Sequence, residues 1–390
     1  MAVCGVIAEY DPFHRGHERH LLLARQKTGA DRVIVVMSGS FTQRGMPALL
    51  PARVRAEMVL RCGADIVLQL PYAFSVREAE YFALGGVHIL NSLGCVTHLS
   101  FGCETEETDA LRAAARMLEQ PDETLDAEIR QGLSQGLSFA AAQGRAVSRR
   151  LALPQSAMTL NAPNTALALC YLRSLIRLNS PIQPVPVLRT EDYHATQLAA
   201  LPSAGAVRGA LLRGDWQGVQ KAMPESAFSL LRQAVIGGRL CAPSSVDPLL
   251  RQTLLHAAPE DVARWPGVSE GLEQRILKAA ETAVSREELI ARIKTRRYTY
   301  GRISRALCHG LMQVSRADLP SLPPSARILG FRESARPLLR QIRDSGFPLY
   351  TRPAREPSAA LDVRADDLWA VLAGLPRGES CRSSVVIVKE

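Results

Sequence analysis

Apolar positions in the first half of the chain fall into short β-branched runs separated by longer stretches of helical spacing. Residues 3–8, 32–37, 64–71 and 97–101 are compact and mostly apolar, so they read as buried strands. From His17 the pattern turns helical, with Leu21, Leu22 and Leu23 on an apolar face and Arg19 and Arg25 toward solvent. Residues 51–62, with Pro51 near the start, and residues 75–93 predict two more helices. His88, on the apolar face of the latter, reads as a core histidine. The Ala-rich residues 109–150 look like an inserted helical pair, and a helix at 165–178 and a strand at 184–189 follow. Strands alternating with helices predict an α/β, Rossmann-like domain with a parallel sheet over residues 1–213. From Gly214 apolar and basic residues recur at helical spacing until a short strand at 385–388, so residues 214–390 are expected to form a mainly helical domain.

Composition narrows the class. A chain of 390 residues suggests two or three domains. No apolar run reaches membrane-spanning length, and residues 1–11 lack the shape of a signal peptide, so no membrane role is expected. The eight cysteines are scattered without a Cys-x-x-Cys pair, which reads as reduced core thiols and a cytoplasmic location. A net charge of +9 favours a polyanionic partner. Aromatics at 5% argue against a single-strand binder built on stacking platforms.

The chemistry concentrates at the first strand-to-helix junction, Asp11-Pro12-Phe13-His14-Arg15-Gly16-His17. Asp11-Pro12 marks a turn. A helix starting here would present unpaired N–H groups and a positive dipole end to phosphate, and Gly16 would let a ligand approach the backbone. His14 and His17, three apart, would donate to a phosphoryl group as charge builds in a transition state. Two close histidines also suit zinc, and four residues recur by chance. However, no cysteine pair stands at ligand spacing, and the sequence indicates no dedicated metal site.

His-x-Gly-His after a first strand resembles the nucleotidyltransferase superfamily, and the run Glu9-Tyr10-Asp11-Pro12-Phe13-His14-Arg15-Gly16-His17 resembles the bacterial tRNA(Met) cytidine acetate ligases. That resemblance implies activation of acetate by ATP to acetyl-adenylate and transfer of acetyl to N4 of the wobble cytidine of elongator tRNA(Met). It implies that Ile7, Ala8, Glu9, Tyr10, Asp11, Pro12, Phe13, His14, Arg15, Gly16, His17, Glu18, Arg19 and His20 bind ATP, with His14 and His17 catalytic. Gly102 (in Ser100-Phe101-Gly102), Asn164 (in Pro163-Asn164) and Arg189-Thr190, followed by Tyr193-His194, match further family blocks and are expected at the nucleotide. Asn164 also suits an N-cap. Ser203 and Arg208 fit the turn that holds β and γ phosphates, although Gly205 replaces the usual Thr. Magnesium on the triphosphate is compatible with this scheme.

Met37-Ser38-Gly39, Gln43-Arg44-Gly45 and Pro47-Ala48 match a substrate-facing loop, and Arg55 a basic position. Departures are Asp11 and Arg15, where relatives usually carry Asn, and Met46, Ala52 and Gln69. Asp11 would repel phosphate unless neutralised, a task Arg15 could take; Arg53 could replace the Lys missing at Ala52. The acidic run beginning at Glu104 is expected to be solvated. In the helical part, Arg292, Lys294, Arg296, Arg297, Arg302 and Arg305 form a one-signed run with Tyr298 and Tyr300 interleaved. It is either a solvated face or an RNA-backbone contact. Residues 326–331 resemble the family's basic segment as well. Two rivals are a small-molecule adenylyltransferase and a non-catalytic RNA-binding protein.

Overall fold

A computed structural model describes residues 1–105, 107–137, 139–151, 160, 162–189 and 202–389. Strands β1 (Val3–Ala8), β2 (Arg32–Ser38), β3 (Ile66–Leu70), β4 (His98–Cys103), β5 (Gln183–Leu188), β6 (Ala326–Arg332), β7 (Leu349–Tyr350) and β8 (Val386–Val388) form one sheet. The order is β5-β4-β1-β2-β3-β6-β7, with β8 also on β6. The first five strands are parallel. β6 runs antiparallel to β3.

Period-two alternation decides which face each side chain joins. Val3, Ile7, Ile34, Val36, Ile66 and Leu68 pack beneath helices Ala79–Ser92 and Pro163–Arg177. Cys4, Val6, Val33, Val35, Met37 and Val67 pack on the other face beneath helices Arg15–Thr28, Ala52–Arg61 and Ala204–Leu212. A separate core holds the helical region, from Leu250 to Leu307. A fourth cluster, including Phe41, Tyr72, Cys308, Met312 and Trp369, joins that region to the loop after β2. The cysteines are unpaired and mostly buried among the described residues.

Several expectations need correction. The division at 213/214 does not mark the end of the sheet, because β6, β7 and β8 come from the C-terminal stretch. Residues 326–331, expected as a basic segment, form β6 against β3, with Arg327 paired to Asp366 at 3.0 Å. The insertion holds three helices, Thr108–Glu119, Glu123–Ser134 and Phe139–Arg150. The helix expected at 75–93 is split into Tyr72–Ser75 and Ala79–Ser92. Between β1 and β4 the chain connections diverge to opposite sides, the topological switch point where parallel α/β sheets open a ligand crevice.

Candidate active site

The crevice is real: a cavity of about 370 Å³ is lined from β1 and its turn by Ile7, Ala8, Glu9, Tyr10, Asp11, His14, His17 and His20. Gly102, Asn164, Arg189, Ser203 and Arg208 line it too. The remaining expected residues lie elsewhere. Phe13 is buried below, its ring 5.1 Å from Tyr10, and Pro12, in a cis peptide bond with Asp11, is buried with it. Gly16 and Arg19 line a smaller adjoining pocket. Arg15 and Glu18 turn outward and face each other at 4.0 Å. Thr190, Tyr193 and His194 lie outside the described residues.

The two histidines build the helix start themselves. His14 is the N-cap, and its Nδ1 accepts from the Gly16 N–H at 3.1 Å. The His14 N–H in turn donates to His17 Nδ1 at 3.3 Å. It is a capping box made of imidazoles. A backbone N–H is always the donor, so both Nδ1 atoms are acceptors and both protons sit on Nε2. The rings stack at 3.6 Å. Burial, then the Arg189 and Arg208 charges, pushes His14 down to about 3. Burial, then His14 and Arg189, holds His17 well below its ordinary range. His20 falls to about 4 by burial and Arg189, and its Nε2 sits 3.3 Å from the Ser100 hydroxyl. The site therefore offers neutral Nε2–H donors rather than imidazolium charge. Positive charge comes from arginines in the lining, among them Arg189, whose main-chain N–H extends β5 onto Cys103 at 2.8 Å.

Glycines here serve packing more than ligand approach. A Cβ on Gly16 would lie 3.0 Å from His14 Cε1, and one on Gly102 would lie 2.7 Å from Arg189 Cδ. Gly16 thus makes room for the folded-back imidazole, and Gly102 for the Arg189 stem.

Asp11 is neutralised, but not by Arg15. Its carboxylate accepts from the Leu49 N–H at 2.7 Å and pairs with Arg208 at 3.4 Å, while Arg208 also donates to the Asp11 carbonyl. Arg15 instead donates to the Lys221 carbonyl at 2.8 Å. Ser203 caps the helix Ala204–Leu212 by accepting from the Ala206 N–H at 3.1 Å. Arg53 is exposed and outside the cavity lining, so it does not replace the missing Lys at the nucleotide. Met46 lines the cavity. Gln69 is buried beside Gly39.

Asn164 is not an N-cap; that position is Ala162. The helix start is held by Glu104, which is far from solvated. Its carboxylate accepts from Asn164 Nδ2 at 2.7 Å, the Asn164 N–H at 3.2 Å, the Thr165 N–H at 2.6 Å and the Thr165 hydroxyl at 2.7 Å. Burial raises its pKa, but these hydrogen bonds outweigh it and the net shift is downward. One of the two Asn164 amide protons is committed to Glu104, which leaves its Oδ1 and the second N–H for a ligand. No local signal links Glu104 to a helix some 60 residues later.

Arg55 is the hidden organiser. Fully buried, it donates to the carbonyls of Leu50 at 3.1 Å, Glu9 at 2.6 Å and Ser38 at 3.1 Å, and to that of Gly39. It ties the turn after β1 to the loop after β2. Glu9 reinforces the tie by accepting from the Gln43 N–H at 2.5 Å; burial raises its carboxyl.

The basic run is largely spoken for within the protein. Arg292 pairs with Glu288, Arg297 with Glu270 at 2.7 Å, and Arg302 donates to the Gly267 carbonyl at 2.7 Å. Arg305 is half-buried, and burial lowers its pKa. Lys294 and Arg296 are exposed.

A parallel sheet with neutral imidazole donors at the helix N-terminus beyond β1 and an arginine beyond β5, both at one crevice, defines a nucleotidyltransferase. The HIGH nucleotidyl transferase family matches residues 1–380. The tRNA(Met) cytidine acetate ligase of Clostridium kluyveri is 35% identical over 385 residues, covering 95% of this chain and 93% of its own. That of Halothermothrix orenii is 33% identical over 423 residues, covering 99% of both. The apo crystal structure of Thermotoga maritima TmcAL superposes with a TM-score of 0.93 at 28% identity over 100% of both chains. Its form bound with alpha-thio ATP superposes at 0.91 with 27% identity, again over 100% of both. The chain belongs to the tRNA(Met) cytidine acetate ligase family.

Proposed function

We propose that this protein is an ATP-dependent acetate ligase that modifies tRNA. It condenses acetate with the AMP moiety of ATP, releases pyrophosphate, and passes the acetyl group to N4 of the wobble cytidine of elongator tRNA(Met). The observation that carries this reading is the convergence of His14, His17 and Arg189 on one cavity, in a chain that aligns along 95% of its length with a relative of that activity's name.

Catalysis is positioning plus charge stabilisation. A carboxylate oxygen of acetate attacks the α-phosphorus in line with the departing pyrophosphate. The two Nε2–H donors meet the charge that builds on the phosphoryl and bridging oxygens, without a proton leaving either ring. Arg189 supplies the positive charge, and the helix start at Ser203 with Arg208 receives the β and γ phosphates. Asn164 Oδ1 is suited to a donor of the nucleoside. Magnesium would accompany the triphosphate; among the described residues no three His, Cys, Asp or Glu side chains converge on one point. Lys294 and Arg296, with Arg292 and Arg297 exchanging surface carboxylates for phosphates, receive the anticodon arm.

The test is ATP-dependent transfer of label from acetate to bulk tRNA, comparing wild type with His14→Ala and His17→Ala. Each variant is expected to lose on the order of 10²–10³-fold. Labelling that survives His17→Ala would place the chemistry elsewhere. Pyrophosphate release with another acid, and no labelled tRNA, would leave a small-molecule adenylyltransferase.

A further inference from the structure

Part of the cavity wall comes from the helical region and has no use in holding a triphosphate. Glu287 and Tyr300 line the same cavity as His14 and His17. Glu287 stands in the helix Arg286–Ile293 with its side chain 64% exposed. The Tyr300 hydroxyl donates to its two carboxylate oxygens at 2.8 and 3.0 Å. Arg286, itself buried, pairs with Glu287 and donates to the Tyr300 hydroxyl at 3.2 Å. Its other arm donates to the Ser304 hydroxyl, which donates to the Arg44 carbonyl in the loop after β2. Gly45, at φ +70°, seals that junction: a Cβ there would lie 2.7 Å from the Ser304 carbonyl. The carboxylate is thus fixed at the cavity by a chain of contacts rooted in the sheet.

A carboxylate repels a polyphosphate, and it has only acceptors to offer. On this wall it suits a group that presents N–H. Glutamate accepting from the N4 amino group is a geometric match for cytosine, whereas uracil presents a carbonyl at that position and would be repelled. We propose that Glu287 selects the acceptor cytosine by receiving its N4 amino group and takes the N4 proton as acetyl is transferred. This inference rests on the tRNA-acetylation reading. In the step, the N4 lone pair forms the N–C bond to the acetyl carbonyl carbon. The bond from that carbon to the phosphoryl oxygen breaks, its electron pair leaves with AMP, and one N4 proton passes to the Glu287 carboxylate and then to water. Tyr300 and Arg286 are positioning residues, holding the carboxylate in place.

Two partial reactions measured in one preparation test it: acetate-dependent ATP–pyrophosphate exchange and acetyl transfer to a tRNA(Met) transcript. Glu287→Gln is expected to lower the ratio of transfer to exchange about 100-fold, the range of a lost general base. Glu287→Asp should recover part of that loss. A transcript with U at the wobble position should inhibit Glu287→Gln better than wild type, because an amide donates to the uracil carbonyl. An unchanged ratio, or exchange and transfer falling together, overturns the assignment while leaving the ligase reading intact. A wild type without acetate-dependent exchange overturns the reading and this inference with it.

Discussion

The cavity has two walls built on different physics. On the nucleotide side, the orientation of His14 and His17 is set by main-chain N–H groups of the same helix turn. A backbone amide has one protonation state, so the imidazoles keep one tautomer. On the helical side, Glu287 is set by Arg286, Tyr300 and Ser304, a network of side chains with exposed members. Arg286 is buried but the Glu287 side chain is 64% exposed, so water and salt screen the carboxylate's side of the pair. The first wall is rigid and suited to a small, invariant substrate; the second can give way as a large acceptor enters.

The largest effect that would break this contrast is at Gly16. A methyl group there meets the His14 ring at 3.0 Å and drives it off the Gly16 N–H. Gly16→Ala is expected to lower ATP–pyrophosphate exchange about 10–100-fold, with transfer falling in step. Gly45→Ala, which strains the other wall, should lower transfer more than exchange. If the two variants behave alike, the walls are not separable. The pH profile of exchange sharpens the point. Lowered pKa values, about 3 at His14 and about 4 at His20, keep both rings neutral as pH falls from about 8 to about 5. Exchange should therefore carry no limb near 6.5; such a limb would mean that a histidine titrates in the active enzyme.

The same contrast explains what was legible beforehand. The strand, turn and helix around His14 are contiguous, so apolar runs and helical spacing were enough to set them out, whereas the switch point needed the strand order of the sheet. What depended on distant partners was hidden. Glu104 sits in a run of charges that looks solvated, yet it caps a helix beginning at Pro163. Arg208 answers Asp11 from nearly 200 residues away. β6 reads as one more basic segment because Arg327 and Arg332 punctuate it, and only its pairing with β3 makes it a strand. The positive run at 292–305 is one-signed in sequence, but its carboxylates come from Glu270 and Glu288, on neighbouring turns and helices.

A smaller effect is expected on the helical side. Lys294 and Arg296 are exposed, while Arg292 and Arg297 already hold surface carboxylates. Lys294→Ala and Arg296→Ala should each weaken tRNA binding about 3–10-fold and reduce the salt dependence of log K by about one unit. Arg292→Ala and Arg297→Ala should do less, because each arginine charge is already answered by its own glutamate and has less to offer a phosphate. Filter binding at several salt concentrations separates the two pairs. Equal losses at all four positions would show that the intramolecular pairs open at no cost and that the whole run acts as one surface.

The smallest expected effect belongs to Arg15, inside the signature itself. Sequence alone makes it the natural partner of Asp11, since both replace asparagine at the phosphate end. The fold separates them. Helix geometry turns Arg15 outward to the Lys221 carbonyl and toward Glu18 at 4.0 Å, an exposed pair of little energetic weight. Asp11 points inward to the Leu49 N–H and Arg208. Arg15→Asn should therefore change the KM for ATP less than about 2-fold, within the range of a lost surface pair. A larger rise would show that the Arg15 charge reaches the triphosphate through the helix end, and that the nucleotide wall is less self-contained than its hydrogen bonds imply.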